Sequence, residues 1–500
     1  MIYINRIRTF MIDAYARRSR TGSRSWSTTP TSPDAWVRTA GTPCGMRIPR
    51  ILKKATTKEG GVGRSILTLV SGTAFAQGLA VISSPILTRL YSPQDFGLFA
   101  VFISAIGLVG DLPTLRYELA IVQPKEDSEA SNLLVLCLAL TALVTAGLWL
   151  LMIPFGRYLA ELLKISAQQD RLWIVAVGAG ALAANQIFSY WYVRKKQFRW
   201  VANNRMLQAV VTLGFQLVAA FTGHAGFESL LVGYVLGQVA TVAVCTARMV
   251  WEDGRSIATS FHPRHLWQQA RVYHRYPVYG CVPSMLNTAT AALPVIFLST
   301  FYGPTVTGYH SLVSRVLYLP ASLLGTAFSQ VFLQRASEEK NRTGHIDQVV
   351  RYALPRLGAL SLLYFLVVMT ASPFLFVLVF GKAWSEAGIY ALILAPSVTT
   401  VQFTASAFSL LPGVMNKEHW VAAWKLGGFA TTVLFLWLAT FLPGPRYAIA
   451  CMSACSLVLY SCYLWLILKA TSTRYFTGWR PSLLRAGLSR WLNLEEIPHL

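Results

Sequence analysis

The sequence predicts an all-α integral membrane protein of about 12 transmembrane helices, set in two six-helix lobes related by a parallel pseudo-repeat. Three observations carry this prediction. Hydrophobic residues make up 54 % of the 500 positions and charged residues only 13 %, about half the share usual in soluble domains. The mean hydropathy is +0.46. From Ile66 onward, long apolar runs alternate with short polar joints. Finally, one short motif occurs twice, at equivalent places in the two halves. Twelve helices of about 20 residues need roughly 240 positions, which this composition supplies. A soluble multidomain enzyme, a disordered chain and a small disulfide scaffold are all excluded.

Residues 1–63 read as a basic, disordered cytoplasmic tail. Its first 45 residues are rich in Ser, Thr, Pro and Arg and lack the apolar core of a signal peptide. Met46 is a candidate translation start, with 1–45 then a mis-assigned extension. Residues 64–250 form the expected N-terminal lobe and 277–468 the C-terminal lobe. Their spans are expected near 65–88, 97–121, 132–155, 171–193, 202–223, 228–249, 277–301, 308–332, 354–380, 386–411, 420–442 and 446–468. Pro85, Pro113, Pro294, Pro320, Pro355, Pro373 and Pro396 fall within or beside these runs. Membrane helices tolerate such breakers when neighbours satisfy the freed backbone groups. Between the lobes, 251–276 reads as a cytoplasmic linker whose stretch His265 to Arg275 forms a helix at the membrane surface. The tail 469–500 carries a second amphipathic candidate, Pro481 to Leu492.

The net charge of +23 is spread along the chain and does not mark a nucleic-acid surface. Twelve of the 44 Lys and Arg lie in residues 1–63, and the connections after runs four, six and eight are also basic. Connections after runs five and seven carry no Lys or Arg. This asymmetry places both termini of the multi-pass chain in the cytoplasm. The joints on the opposite side are too short for a separate catalytic domain. Six of the seven cysteines lie in apolar runs, where they read as packing residues. Tyr190-Trp-Tyr192, Trp420 and Trp424 are expected in the interfacial aromatic belt.

The duplicated motif is Tyr-x-Pro-x-x-x-Gly. It reads Tyr91-x-Pro93-x-x-x-Gly97 between runs one and two, and Tyr302-x-Pro304-x-x-x-Gly308 between runs seven and eight. Six runs separate the copies, so the halves share one orientation.

Ionisable groups inside spans are costly and usually face a cavity or a partner. Arg315 lies seven residues into run eight, about 10 Å from its outer end. It either snorkels or faces an anion in a central cavity, and the second reading is favoured. Asp111 sits about 20 Å along run two. It is either a proton or cation site or a loose salt-bridge partner of Arg116, five residues on. Arg116 marks the inner mouth, where a phosphate or anionic lipid would meet it. Glu118 reads as a local partner for a basic residue or, less favoured, a coupling group. Arg89, at the outer end of run one, lines a cavity or snorkels. Lys425, in run eleven, has the same two readings.

No G-x-x-x-x-G-K-[ST] is present; Gly60-Gly-Val-Gly-Arg-Ser65 lacks the Lys and the preceding strand. Neither H-E-x-x-H nor G-x-S-x-G occurs. No residue set calls for a metal or a cofactor, and no pattern suggests a channel filter. The reading that remains is a secondary transporter and not an enzyme.

Several segments resemble the polysaccharide-unit flippases of the multidrug/oligosaccharidyl-lipid/polysaccharide superfamily. They are Leu87-Thr-Arg-Leu-Tyr-Ser-Pro93 with Gly97-Leu-Phe-Ala, and Leu115-Arg-Tyr-Glu-Leu-Ala-Ile-Val122 with Lys125-Glu-Asp-Ser-Glu-Ala and Asn132-Leu-Leu. Others are Arg275-Tyr-Pro277 with Leu286-Asn287 and Leu293-Pro294, then Gly308-Tyr309, Arg315-Val-Leu-Tyr-Leu-Pro320 and Phe328-Ser-Gln-Val-Phe332. The resemblance spans about 60–470. It implies a V-shaped pair of lobes around a cavity. It also implies movement of a polyprenyl-pyrophosphate-linked oligosaccharide from the cytoplasmic to the periplasmic leaflet. The product would be O-antigen (lipopolysaccharide), exopolysaccharide or capsule. Arg315, Arg116 and Arg89 would meet the pyrophosphate; Asp111, Glu118 and Lys425 would serve coupling or salt bridges. Partners would be the lipid-linked substrate, membrane lipid, a polysaccharide polymerase and a chain-length regulator. Many family members have fourteen spans, whereas twelve are counted here. The rival readings are a cation-coupled drug exporter of the same superfamily and a membrane glycan polymerase or ligase.

Overall fold

The computed structural model describes residues 71–162, 164–260, 263–343, 347–401, 408 and 418–470. All regular structure among them is helical. The tail expected over 1–63, with Met46, and the helix expected at Pro481 to Leu492 lie outside the described residues. Residues 71–82 are helical and break at Ser83 before α1 (Ser84–Leu90). There follow α2 (Pro93–Val109), α3 (Asp127–Leu162), α4 (Trp173–Arg194), α5 (Phe198–Phe221) and α6 (Phe227–Ser260). After the short α7 (Pro263–Val272) come α8 (Arg275–Tyr302), α9 (Pro304–Thr343), α10 (Asp347–Phe380), α11 (Ser385–Thr400), α12 (Glu418–Ala439) and α13 (Pro445–Ala470).

The fold is that of an all-α, multi-pass membrane protein. Among the described residues six helices are long and apolar enough to cross a bilayer: Asp127–Glu161, Trp173–Arg194, Phe227–Ser260, Arg275–Tyr302, Val350–Phe380 and Pro445–Lys469. Pro93–Val109 and Ala423–Ala439 are apolar but shorter. Many large apolar side chains on the long helices face outward, among them Leu143, Ile153, Leu363 and Phe374. That is the pattern of a surface solvated by lipid. Pro154, Pro283, Pro294, Pro355, Pro373 and Pro396 all lie inside helices.

Local chemistry explains the start of α2. Ser92 caps it: its Oγ accepts from the Asp95 N–H at 3.2 Å, and Asp95 Oδ2 accepts from the Ser92 N–H at 3.0 Å. Pro93 fills the first turn, where a missing N–H costs nothing. The other Asp95 oxygen accepts from the Phe227 N–H at 3.0 Å and so pins the start of α6 to the start of α2.

The second expected span is not one helix. α2 ends at Val109, turns occupy 110–116, and a short 3-10 helix runs Tyr117–Ala120. Pro113 disfavours helical backbone at the residue before it and offers no N–H. Leu115 and Arg116 then adopt left-handed backbone, with φ of 47° and 63°. Helical rise therefore does not describe how Asp111 and Arg116 relate. Arg194, at the end of α4, fixes the chain beyond this turn. Its guanidinium donates to the carbonyls of Ile121, Pro124 and Glu126 at 3.2, 2.8 and 3.1 Å, and pairs with Asp127 at 2.8 Å.

The linker helix expected over 265–275 appears as α7. Its Trp267 is exposed beneath the Arg271 guanidinium, and its Ala270 carbonyl accepts from the Tyr117 hydroxyl at 3.0 Å. The aromatic belt expected at Tyr190-Trp-Tyr192 is a different matter. All three are buried, Trp191 donates to Asp253 and Tyr192 to the Cys245 carbonyl. They are inter-helix packing residues, because α4 is the inner helix on which α2, α3 and α6 all pack.

The packing repeats with the spacing of the motif. In the N-terminal half α3 packs on α4, α5 on α6, α4 on α6 and α2 on α4. Six runs later α10 packs on α11, α12 on α13, α11 on α13 and α9 on α11. One ion pair repeats too, with its charges exchanged. Arg171 meets Glu228 at 2.9 Å at the starts of α4 and α6; Glu386 meets Arg446 at 2.7 Å at the starts of α11 and α13.

Candidate functional site

Among the described residues, α2 takes part in two junctions between the halves, one at each end. At its N-terminal end α2 meets α9, the two motif copies face to face. A Cβ built on Gly97 would stand 1.7 Å from the Pro304 carbonyl oxygen; one built on Gly308 would stand 1.8 Å from that of Pro93. Only glycine permits this approach. Trp384, fully buried before α11, closes the same end: its indole N–H donates to the Thr88 carbonyl at 3.0 Å and its ring meets Phe96 edge-on at 5.1 Å. Arg315 lies here, on α9, with its guanidinium carbon 6.0 Å from the centre of the Phe96 ring. Among the described residues no carboxylate pairs with it. Arg89, at the end of α1, is exposed.

At the other end, the turn after α2 meets α8. Arg116 pairs through one nitrogen with Asp111 at 3.2 Å and with Glu118 at 3.4 Å. Asp111 accepts a short hydrogen bond from the Ser284 hydroxyl on α8. The Arg116 Cβ lies against Gly280, also on α8. Glu118 is fully buried, and neither of its oxygens makes a hydrogen bond of ordinary geometry. The Arg116 Nε is likewise buried without an acceptor. Lys425, on α12, lies near enough to Arg116 for the two positive charges to act on each other.

The structure thus gathers Asp111, Arg116 and Glu118 into one cluster, with Lys425 within electrostatic reach of Arg116, and leaves Arg315 and Arg89 towards the opposite end of α2. From Phe96 to Val109, the last residue of α2, is about 20 Å at helical rise. The three arginines form two stations and not one. Sequence reasoning missed Ser284, one small residue among many in a span, and Trp384, whose partner lies in the other half. The turn that brings Asp111 to Arg116 had a signal, Gly110 followed by Pro113. Among the described residues no group of His, Cys, Asp or Glu is arranged to hold a metal ion.

The comparisons with known proteins agree with this architecture. The polysaccharide biosynthesis protein family matches residues 86–388. The succinoglycan biosynthesis transport protein ExoT of Rhizobium meliloti is 24 % identical over 452 residues, covering 86 % of this chain and 83 % of its own. Two solved structures share the fold at low identity. The lipid II flippase MurJ in an inward closed conformation gives a TM-score of 0.60 at 13 % identity, over 81 % of this chain and 87 % of its own. An inward-facing multidrug resistance MATE family transporter of the MOP superfamily gives 0.56 at 16 %, over 81 % and 96 %. The family match covers more than half of the sequence, and the chain belongs to the polysaccharide biosynthesis protein family.

Proposed function

We propose that the protein flips a polyprenyl-pyrophosphate-linked oligosaccharide from the cytoplasmic to the periplasmic leaflet of a bacterial inner membrane. The oligosaccharide would feed O-antigen, exopolysaccharide or capsule synthesis, beside a polymerase and a chain-length regulator. The observation that carries this reading is the charge at the junction of the halves. Arg315 lies within the helical bundle with an aromatic ring beside it and no carboxylate partner among the described residues. A cation kept at that cost suits an anionic cargo. Arginine also matches phosphate in a bidentate, charge-assisted way.

The repeated packing supports two six-helix lobes and twelve spans; the Lys and Arg excess in alternate connections supports cytoplasmic termini. The mechanism that fits is alternating access. The α2–α9 junction would close the outer end, and the Asp111–Ser284 bond would tie the lobes near the inner end. The two would part in turn. Arg116 with Lys425 would receive the pyrophosphate first and Arg315 later, with Arg89 at the exit. A drug–cation exporter would want free carboxylates between the lobes, yet Asp111 and Glu118 are already paired with Arg116.

The test is the leaflet position of a lipid-linked oligosaccharide in proteoliposomes. Native protein should move it, and Arg315→Ala should abolish movement while still inserting and folding. Undiminished movement by Arg315→Ala would remove the phosphate role. No movement by native protein, across several glycans and ion gradients, would overturn the flippase reading.

A further inference from the structure

The Arg116 cluster carries an unusual charge arrangement. One guanidinium serves two carboxylates, and these differ in what else they have. Asp111 keeps the Ser284 hydroxyl as a second donor. Glu118 has no such donor; Thr114 stands beside it, and its main support is the guanidinium at 3.4 Å. It also sits among apolar neighbours. Tyr117, Ala120 and Ile121 of its own turn are buried with Leu133, Leu134 and Cys137 of α3. Lys425, from the opposite half, stands within electrostatic reach of Arg116, with no carboxylate partner among the described residues. Two cations from different halves, brought together inside a membrane protein, attract an anion that can bridge them.

We propose that Glu118 is a proton-binding site switched by Arg116: when an anionic pyrophosphate diester draws the Arg116 guanidinium towards Lys425, the Glu118 carboxylate takes up one proton. The inference rests on the reading of Arg116 as a phosphate receptor. A buried carboxylate that loses its counter-ion in an apolar surround is not kept ionised. The reaction is the simplest one, a carboxylate and a proton from the aqueous side giving a carboxylic acid, with no other bond changed. The side chains of Arg116 and Asp111 are 12 % and 11 % exposed, so solvent reaches the edge of the cluster. Asp111 differs in that the Ser284 hydroxyl still donates to it when Arg116 moves. The other titratable groups facing the cluster are Cys137 on α3, Cys281 on α8 and Lys425 on α12. Anion arrival is thereby linked to protonation. The affinity for the diester should fall about tenfold for each unit of pH rise while Glu118 is ionised in the free protein and neutral in the complex.

The test is calorimetric titration of the purified full chain with UDP-glucose, a soluble pyrophosphate diester with no group titrating near neutral pH. Repeating it in buffers of different ionisation enthalpy gives the protons taken up per molecule bound. Native protein should take up close to one. Lys425→Arg, which keeps the charge but cannot titrate near neutrality, should take up the same. Glu118→Gln should take up none. Should Glu118→Gln not fold, the infrared band of a neutral carboxylic acid should appear in the native protein on binding. Binding without proton uptake, uptake that survives Glu118→Gln, uptake lost in Lys425→Arg, or absence of that band would overturn the proposal. No binding at all would remove Arg116 as a receptor and the proposal with it. Flipping of the lipid-linked substrate, read by the leaflet assay, stands or falls separately.

Discussion

Gly97 and Gly308 lie against each other's motif, each with its missing side chain turned to the carbonyl of the other copy's proline. The contact is reciprocal, as in a two-fold interface. The sequence repeat is therefore also the seam between the halves. A methyl group on either glycine would have to push α2 from α9. Gly97→Ala and Gly308→Ala should each cost about 1–3 kcal/mol of overpacking strain, read as a lower midpoint of thermal unfolding in detergent. Each should also cut transport at least tenfold. Two variants with native stability would mean that the seam gives way freely.

Asp95 holds two elements and Ser92 only one. Loss of an N-cap costs about 1 kcal/mol, so Ser92→Ala should lower stability by roughly that amount. Asp95→Ala removes the return bond to Ser92 and also leaves the Phe227 N–H without its acceptor. It should cost about 1 kcal/mol more than Ser92→Ala, since a further hydrogen bond is lost. Denaturant unfolding of the two variants side by side measures this difference; equal losses would mean that the Phe227 link contributes nothing.

Much of this fold was legible because lipid imposes it. Apolar runs long enough to span a bilayer can only be helices, and Asp127 to Glu161 or Pro445 to Lys469 read that way at once. The Tyr-x-Pro-x-x-x-Gly echo was legible too, since Pro and Gly have specific backbone uses. That the copies touch was not, because nothing in one chain's order says which repeats meet. Arg116 shows a second limit. A hydrophobic run looks continuous across Pro113, so the turn was hidden inside an expected helix. Tyr190 to Tyr192 show a third. Aromatic and basic residues at the end of a span fit both a lipid interface and an inner helix, and only the positions of α2, α3 and α6 around α4 decide between them.

Arg116 should be far less dispensable than its carboxylates suggest. Arg116→Ala leaves two largely buried acidic groups without their counter-ion, Asp111 with the Ser284 hydroxyl and Glu118 with Thr114 beside it. Breaking a buried pair from one side costs about 3–5 kcal/mol. Adding Glu118→Gln removes the worse of the two orphaned charges. The double variant should then be more stable than Arg116→Ala alone, by at least about 1 kcal/mol in a double-mutant cycle. A double variant less stable than either single change would show that Glu118 is held by something other than Arg116.

Arg194 makes the most exacting demand on side-chain identity. Its planar fork serves three carbonyls and one carboxylate along 121–127, all within 3.2 Å. A lysine ammonium keeps the charge but presents its donors from one point and cannot reach this spread of acceptors. Arg194→Lys should therefore behave almost as Arg194→Ala. The segment joining the Arg116 turn to α3 would lose its anchor, and its exposed residues would become accessible to protease. Limited proteolysis of inside-out vesicles should cut both variants near Lys125 several-fold faster than native protein. Native-like protection in Arg194→Lys would mean that charge alone holds the segment, by its pair with Asp127. The same variants also bear on transport. Among the described residues this clamp and the Tyr117 bond to α7 both brace the Arg116 turn, so loosening the clamp should weaken diester binding even though Arg194 makes no hydrogen bond or ion pair to Asp111, Arg116 or Glu118.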